Sequence, residues 1–192
     1  MDKVRLPLPT LAAGPPQIIY KTVSEHYQNK VQMTIGQKKQ IAFELDFSDR
    51  FQELRNLKFY LGNRLISNES IYVPTYLESF ERFTELLING QFQKGKMKGL
   101  TAGQSFERVV NERDSDESQY FNHLLQVDET IDQYIIFVFQ SNNFTELVWT
   151  CWDEHNCNSD HVLNKVYSTS IKTIELITIL NELTNELNKT TR

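Results

Sequence analysis

The sequence predicts an α+β fold: two antiparallel β-sheets and two main helices, laid out as strands followed by a helix, twice over. Three observations carry that prediction. Residues 131–152, IDQYIIFVFQSNNFTELVWTCW, read as two apolar strands joined by a polar turn. Two later-than-strand stretches, near 75–90 and 170–187, place apolar residues at helical spacing. Between and before them, apolar and polar residues alternate with the period of a strand.

Residues 1–16 read as an extended arm, because Pro7, Pro9, Pro15 and Pro16 interrupt any helix. The rest, 17–192, is expected to form a single α+β domain with halves near 17–90 and 104–189. Ile18, Ile19 and Tyr20 begin a first strand, and Val31, Met33 and Ile35 mark a half-buried one ending at Gly36. Ile41, Phe43, Leu45 and Phe47 point one way while Ala42, Glu44 and Asp46 point the other, which predicts a sheet with one wet face. In LKFYLGNRLI, Gly62-Asn63 separates two apolar runs and predicts a hairpin. Residues 71–73 give a short strand that Pro74 stops. Thr75 then starts a helix, with Glu78 placed for a capping box and Tyr76, Phe80, Phe83 and Leu87 on one stripe. Asn89-Gly90 ends it.

Residues 91–119 are the least regular by composition, with one short strand expected around 106–110. Tyr120, Asn122 and Leu124 alternate with Phe121, His123 and Leu125 ahead of the central hairpin. In that hairpin both faces of the first strand are apolar, so it requires cover on both sides. On the return strand Leu147, Trp149 and Cys151 share a face opposite Glu146, Val148 and Thr150. A polar loop spans 153–160, a strand resumes at Val162 and 165–167, and Thr169 or Ser170 caps the last helix. Leu176, Ile179, Leu180, Leu183 and Leu187 form its stripe, widened early by Ile171, Ile174 and Ile177. Tyr72-Val73-Pro74-Thr75-Tyr76 is loosely mirrored by Tyr167-Ser168-Thr169-Ser170-Ile171, which fits a structural pseudo-repeat.

Composition narrows the function classes. The 192 residues are 40% hydrophobic with 12 Phe and 8 Tyr, a globular balance. A net charge of -5 disfavours anionic polymers unless charge is segregated. The start of the chain holds no apolar core of signal-peptide length, and no run approaches the ~20 apolar residues of a membrane span. The protein is therefore expected in the cytoplasm, away from membranes.

Cys151, His155, Cys157 and His161 match a zinc inventory, but the spacing C-x3-H-x-C-x3-H is not that of paired knuckles. A hairpin-end loop without metal is the favoured reading, with zinc and a Cys151–Cys157 disulfide as open alternatives. No nucleophile-and-base set stands out among His26, His123, His155 and His161. Gly95-Lys96 lacks the rest of a phosphate loop, and no dinucleotide fingerprint is present. Hence no cofactor, metal or catalytic residue is expected, and the chain reads as a non-enzyme. Lys94, Lys96 and Lys98 beside Phe92 could hold phosphate, yet in an acidic protein they read better as a solvated loop, so nucleic acid is not the expected partner.

Acidic residues recur in three places: Glu112, Asp114, Asp116 and Glu117; Asp128, Glu129 and Asp132; Asp153, Glu154 and Asp160. Converging, they would make a negative surface that steers a basic protein partner. The candidate partner-binding residues are Asp114, Asp116, Glu117, Asp128, Glu129, Asp132, Asp153 and Glu154.

Residues 36–45 (GQKKQIAFEL), the hairpin LKFYLGNRLISNESIYV before the first helix, and the strand ending LVWTCW before a loop, strand and C-terminal helix carry a family resemblance. Over most of 17–189 the chain resembles the small immunity proteins of bacterial contact-dependent growth inhibition and related polymorphic toxin systems. Some of these have a Whirly-like fold of two antiparallel sheets with helices. The resemblance implies a non-enzymatic cytoplasmic inhibitor that blocks the C-terminal toxin domain of a cognate effector. Toxin-contacting residues vary widely in such families, so none transfers by motif. Many of the toxins are nucleases, and a surface that binds nucleic acid is basic, which suits an acidic inhibitor. The competing readings are a Whirly-like binder of single-stranded nucleic acid and a metal-dependent hydrolase using residues 151–161.

Overall fold

Period-two alternation builds the first sheet. The structure, a computed structural model, describes residues 32–46, 53–115 and 118–189. The expected arm at 1–16, the strand at Ile18–Tyr20, and Asp116 and Glu117 lie outside the described residues. Strands β1 (Gln32–Gln37), β2 (Ile41–Asp46), β3 (Leu54–Leu61) and β4 (Arg64–Tyr72) pair antiparallel in chain order. Gly62 and Asn63 turn the β3–β4 hairpin at φ of 55° and 65°, where glycine and asparagine are tolerated best. Residues 71–72 continue β4 and do not form the separate short strand expected. Ile41, Phe43, Leu45, Leu57, Phe59 and Leu61 face the core, with the Phe43 and Phe59 rings stacked at 4.9 Å.

The second face of β2 is not wet as its pattern suggested. Ala42 is 0% and Glu44 8% exposed. Cross-strand neighbours roof Glu44: Gln32 donates at 3.0 Å, Tyr60 at 3.0 Å, Lys38 forms an ion pair and Lys58 lies at 3.9 Å. Burial pushes this carboxyl up, but the bonds from Lys38 and Tyr60 outweigh it and hold Glu44 below the usual carboxylate range.

Helix α1 (Val73–Ile88) follows β4 without a loop. It starts two residues ahead of Thr75, with Pro74 in its first turn and no side-chain cap, so the Thr75–Glu78 capping box does not form. The stripe Tyr76, Phe80, Phe83 and Leu87 is buried as its spacing predicts. Past a 3-10 turn at Gly95–Met97, residues 102–111 form helix α2 (Ala102–Asn111) where a strand was expected. Thr101 and Gln104 complete a capping box there, and Ser105, Phe106 and Val109 repeat at helical spacing. Period two and period 3.6 share too many positions in so short a run. Likewise Tyr120–His123 is one turn of helix, α3, followed only by a bridge from Leu124 to Phe137.

The second sheet is β5 (Tyr134–Ser141), β6 (Phe144–Cys151) and β7 (Tyr167–Lys172), again antiparallel. Strand β7 begins later than the expected 162–167 and consumes Thr169 and Ser170, so neither caps the last helix. Helix α4 (Thr173–Asn188) buries Leu176, Leu180, Leu183 and Leu187, but Ile174 is 67% exposed, so its first turn is open.

Helices α1 and α4 pack on each other and, with both sheets, enclose the main core. The opposite face of the second sheet, Phe137, Phe139 and Val148, is sealed by Met97, Phe106, Val109 and Tyr120. Both faces of the central hairpin are therefore covered, as its composition requires. The pseudo-repeat is present, in a different register from the one expected: buried positions 76, 80, 83, 84 and 87 of α1 recur at 176, 180, 183, 184 and 187 of α4. Tyr72 corresponds to Lys172 and not to Tyr167. The Leu124 bridge on the edge of β5 occupies the place that β1 takes beside β2.

Candidate interaction surface

The end of the central hairpin is held by a disulfide. Cys151 closes β6, and Asp153 caps the next turn: its carboxylate accepts from the His155 amide at 3.0 Å and the Asn156 side chain at 2.6 Å. Those bonds, Asn156 first, hold Asp153 below the usual carboxylate range. The turn brings Cys157 back onto Cys151, with a Cα–Cα separation of 5.9 Å and a disulfide between them. His161 is buried, its Nε2 accepting from the Trp149 indole at 3.2 Å and its Nδ1 3.2 Å from the Tyr134 hydroxyl. Both sulfurs and both ring nitrogens are thus engaged. Of the readings of residues 151–161, zinc does not fit this arrangement and the disulfide does; among the described residues no three His, Cys, Asp or Glu are grouped to hold a metal. Asn158 ties the loop to the first sheet, donating to the carbonyls of Leu65 (2.8 Å) and Ile66 (3.1 Å).

The same end gathers acidic residues. Trp152 Nε1 donates to the Asp132 carbonyl at 2.7 Å, and its amide donates to the Gln133 carbonyl at 3.1 Å. Asp132 therefore lies against Trp152, the residue before Asp153, and Asp128 and Asp132 line one groove with Trp152. Asp128 also caps a 3-10 turn (Glu129–Ile131) by accepting from the Thr130 amide at 3.0 Å. Helix α1 anchors this segment: Ser79 donates to the Val127 carbonyl at 2.7 Å, and the Tyr76 and Thr130 hydroxyls bond to each other. Burial pushes the Tyr76 hydroxyl up to about 12, so it stays neutral.

Between α1 and the segment from α3 to Asp132 runs a groove of about 1020 Å³. Glu78, Asp128 and Asp132 line it, together with Arg82, Arg113 and Trp152. Asp114 sits in the exposed turn after α2, and its neighbour Arg113 lies over the Tyr120 ring at 4.9 Å; among the described residues no bond joins Asp114 to the clusters at 128–132 and 153–160. Residue spacing did not point to Phe121, Trp152 or Arg82. Phe121 had one weak signal, the polar Asn122 and His123 that follow it, which the strand-like alternation hid.

In the lysine loop, Lys96 and Lys98 are exposed, while the residues before them are tied down. Phe92 is buried in the core, and Lys94 pairs with Glu146 at 2.9 Å.

Two antiparallel sheets on a shared helix pair frame this grooved polar surface. No protein-family model and no curated protein matches the sequence. Among solved structures, the chain is similar to CdiI from Burkholderia dolosa, with a TM-score of 0.59 and 14% identity over 80% of this chain and 99% of that one. At that identity the likeness is one of fold. CdiI is an immunity protein of contact-dependent inhibition.

Proposed function

We propose that this chain is an immunity protein of contact-dependent growth inhibition: it binds the C-terminal toxin domain of a cognate effector one to one in the cytoplasm and blocks it without chemistry of its own. The observation that carries this reading is the fold shared with CdiI across 99% of that chain. No helix among the described residues is long and apolar enough to cross a membrane, which is compatible with that location. The contact of Asp132 with Trp152, and the place of Asp128 in the same groove, support a basic toxin surface, as a nuclease would present, with Glu129, Asp153 and Glu154 proposed beside them. Asp114, Asp116 and Glu117 are proposed as a flanking part of the same surface.

Co-expression with the toxin domain encoded immediately upstream tests this. Cells carrying both are expected to grow; continued death with soluble, folded protein present rejects the reading. Reversing Asp128, Asp132 and Glu154 to Lys together is expected to remove protection.

A further inference from the structure

Charge is segregated along this chain. Residues 114–164 contain 10 of the 25 acidic residues and none of the 20 basic ones. That stretch supplies most of one wall of the groove, from α3 through Asp128 and Asp132 to Trp152, with Arg113 at its start, while α1 supplies the other. Two large aromatics stand exposed on the acidic wall: Phe121 is 68% and Trp152 53% exposed. Trp152 is held in place by its bond to the Asp132 carbonyl at 2.7 Å. A fixed, exposed indole loses little freedom when a partner covers it, and buried aromatics of this kind carry most of the affinity of an interface. Of the groove's two arginines, Arg113 is occupied by the Tyr120 ring at 4.9 Å, and Arg82 stands one helical turn from Glu78.

We infer that this groove receives one cationic segment of the partner protein, whose apolar side chain packs against Phe121 and Trp152 while its Lys or Arg residues pair with Asp128 and Asp132. The inference rests on the immunity reading, since that reading supplies the partner. It adds that recognition has two parts, a steering field from the carboxylates and an aromatic anchor that sets residence time.

The test is calorimetry and stopped-flow binding of the full chain to the purified toxin domain encoded immediately upstream, at low and high salt. Phe121→Ala is expected to weaken binding at least about 30-fold, mainly through faster dissociation. Asp132→Lys is expected to slow association and flatten its salt dependence. Gln126→Trp, which fills the groove from an exposed position, should weaken binding without removing any existing contact, so the test does not depend on the fold of Phe121→Ala. Ile174→Ala, exposed on α4, should bind as wild type. If wild type binds and protects but the three groove variants bind equally well, the groove assignment is overturned and the immunity reading stands. If wild type does not bind the toxin domain, or binds single-stranded DNA in its place, both fall.

Discussion

The indole N–H of Trp149 donates to Nε2 of His161 at 3.2 Å, and this bond fixes the charge of a buried imidazole. With Nε2 accepting, the ring's proton sits on Nδ1, which faces the Tyr134 hydroxyl at 3.2 Å and the Asp160 carboxylate at 3.0 Å. A second proton would set Nε2–H against the indole donor. Burial lowers the His161 pKa and nearby Arg64 lowers it further, against the pull of Asp160. The Asp160 contact is therefore a hydrogen bond from a neutral ring and not an ion pair. His123 behaves alike: burial lowers it, although its Nδ1 bonds the Val138 carbonyl at 2.9 Å.

Stability should fall as the solution becomes mildly acidic. Both histidines titrate lower in the folded chain than in the unfolded one, so the unfolded state binds more protons as pH drops. Their contribution is complete above the ordinary histidine value and is lost on descending below it, at up to about 1.4 kcal/mol per pH unit for each histidine. Thermal melting from pH 8 to pH 5 reads this directly; a flat profile would contradict the buried, neutral assignment.

A second loss is expected in the carboxylate range. Glu44 is held low, so its stabilisation is present above the usual glutamate value and disappears as pH falls through its folded value. Glu44→Gln should cost about 1 kcal/mol at neutral pH, after allowing for the exposed Lys38, and should shrink the melting shift between pH 5 and pH 3.

Reduction should loosen the hairpin end. The Cys151–Cys157 bridge spans a sequence separation of 6, a loop for which chain entropy gives about 2 kcal/mol. A reductant, or Cys157→Ser, is expected to lower Tm by roughly 4–8 °C for a chain of this size. An unchanged Tm in reductant would show that the bridge contributes no stability. The prediction also bears on compartment, since a reducing cytosol favours the dithiol.

Truncating pseudo-equivalent core residues should be costly in both halves. Phe80 packs edge-on to Phe43 at 5.2 Å and to Tyr76 at 5.6 Å, and Leu180 is fully buried one hundred positions later. Phe80→Ala should lose about 3–5 kcal/mol and Leu180→Ala about 2–5 kcal/mol in denaturant unfolding. A small loss at either site would place it outside the shared core.

The central hairpin was the most legible part of the chain because composition alone demanded cover on both faces, and α2 with α3 provides it on the second. The turn at Gly62-Asn63 and the stripe on α1 were equally plain, being set by residues within one turn or one helix length. Residues 102–111 were misread because Phe106, Val109 and Val110 satisfy both periods over so few positions; Thr101 and Gln104 held the deciding signal. The capping box expected for α1 and the Thr169 or Ser170 cap expected for α4 failed for another reason. β4 and β7 run straight into their helices, so Tyr72 and Lys172, not a hydroxyl, occupy the N-cap.

By itself, the sequence determined which residues face a core, where strands turn, and that negative charge concentrates before and after the central hairpin. These are local properties, written in alternation, helical spacing and turn chemistry. Only the tertiary structure decided that Asp132 meets Trp152, that Cys157 returns to Cys151, and that Phe121 stands open above a groove against α1. Those outcomes depend on strand register and on the packing of helices far apart in the chain, and no short window of residues contains them.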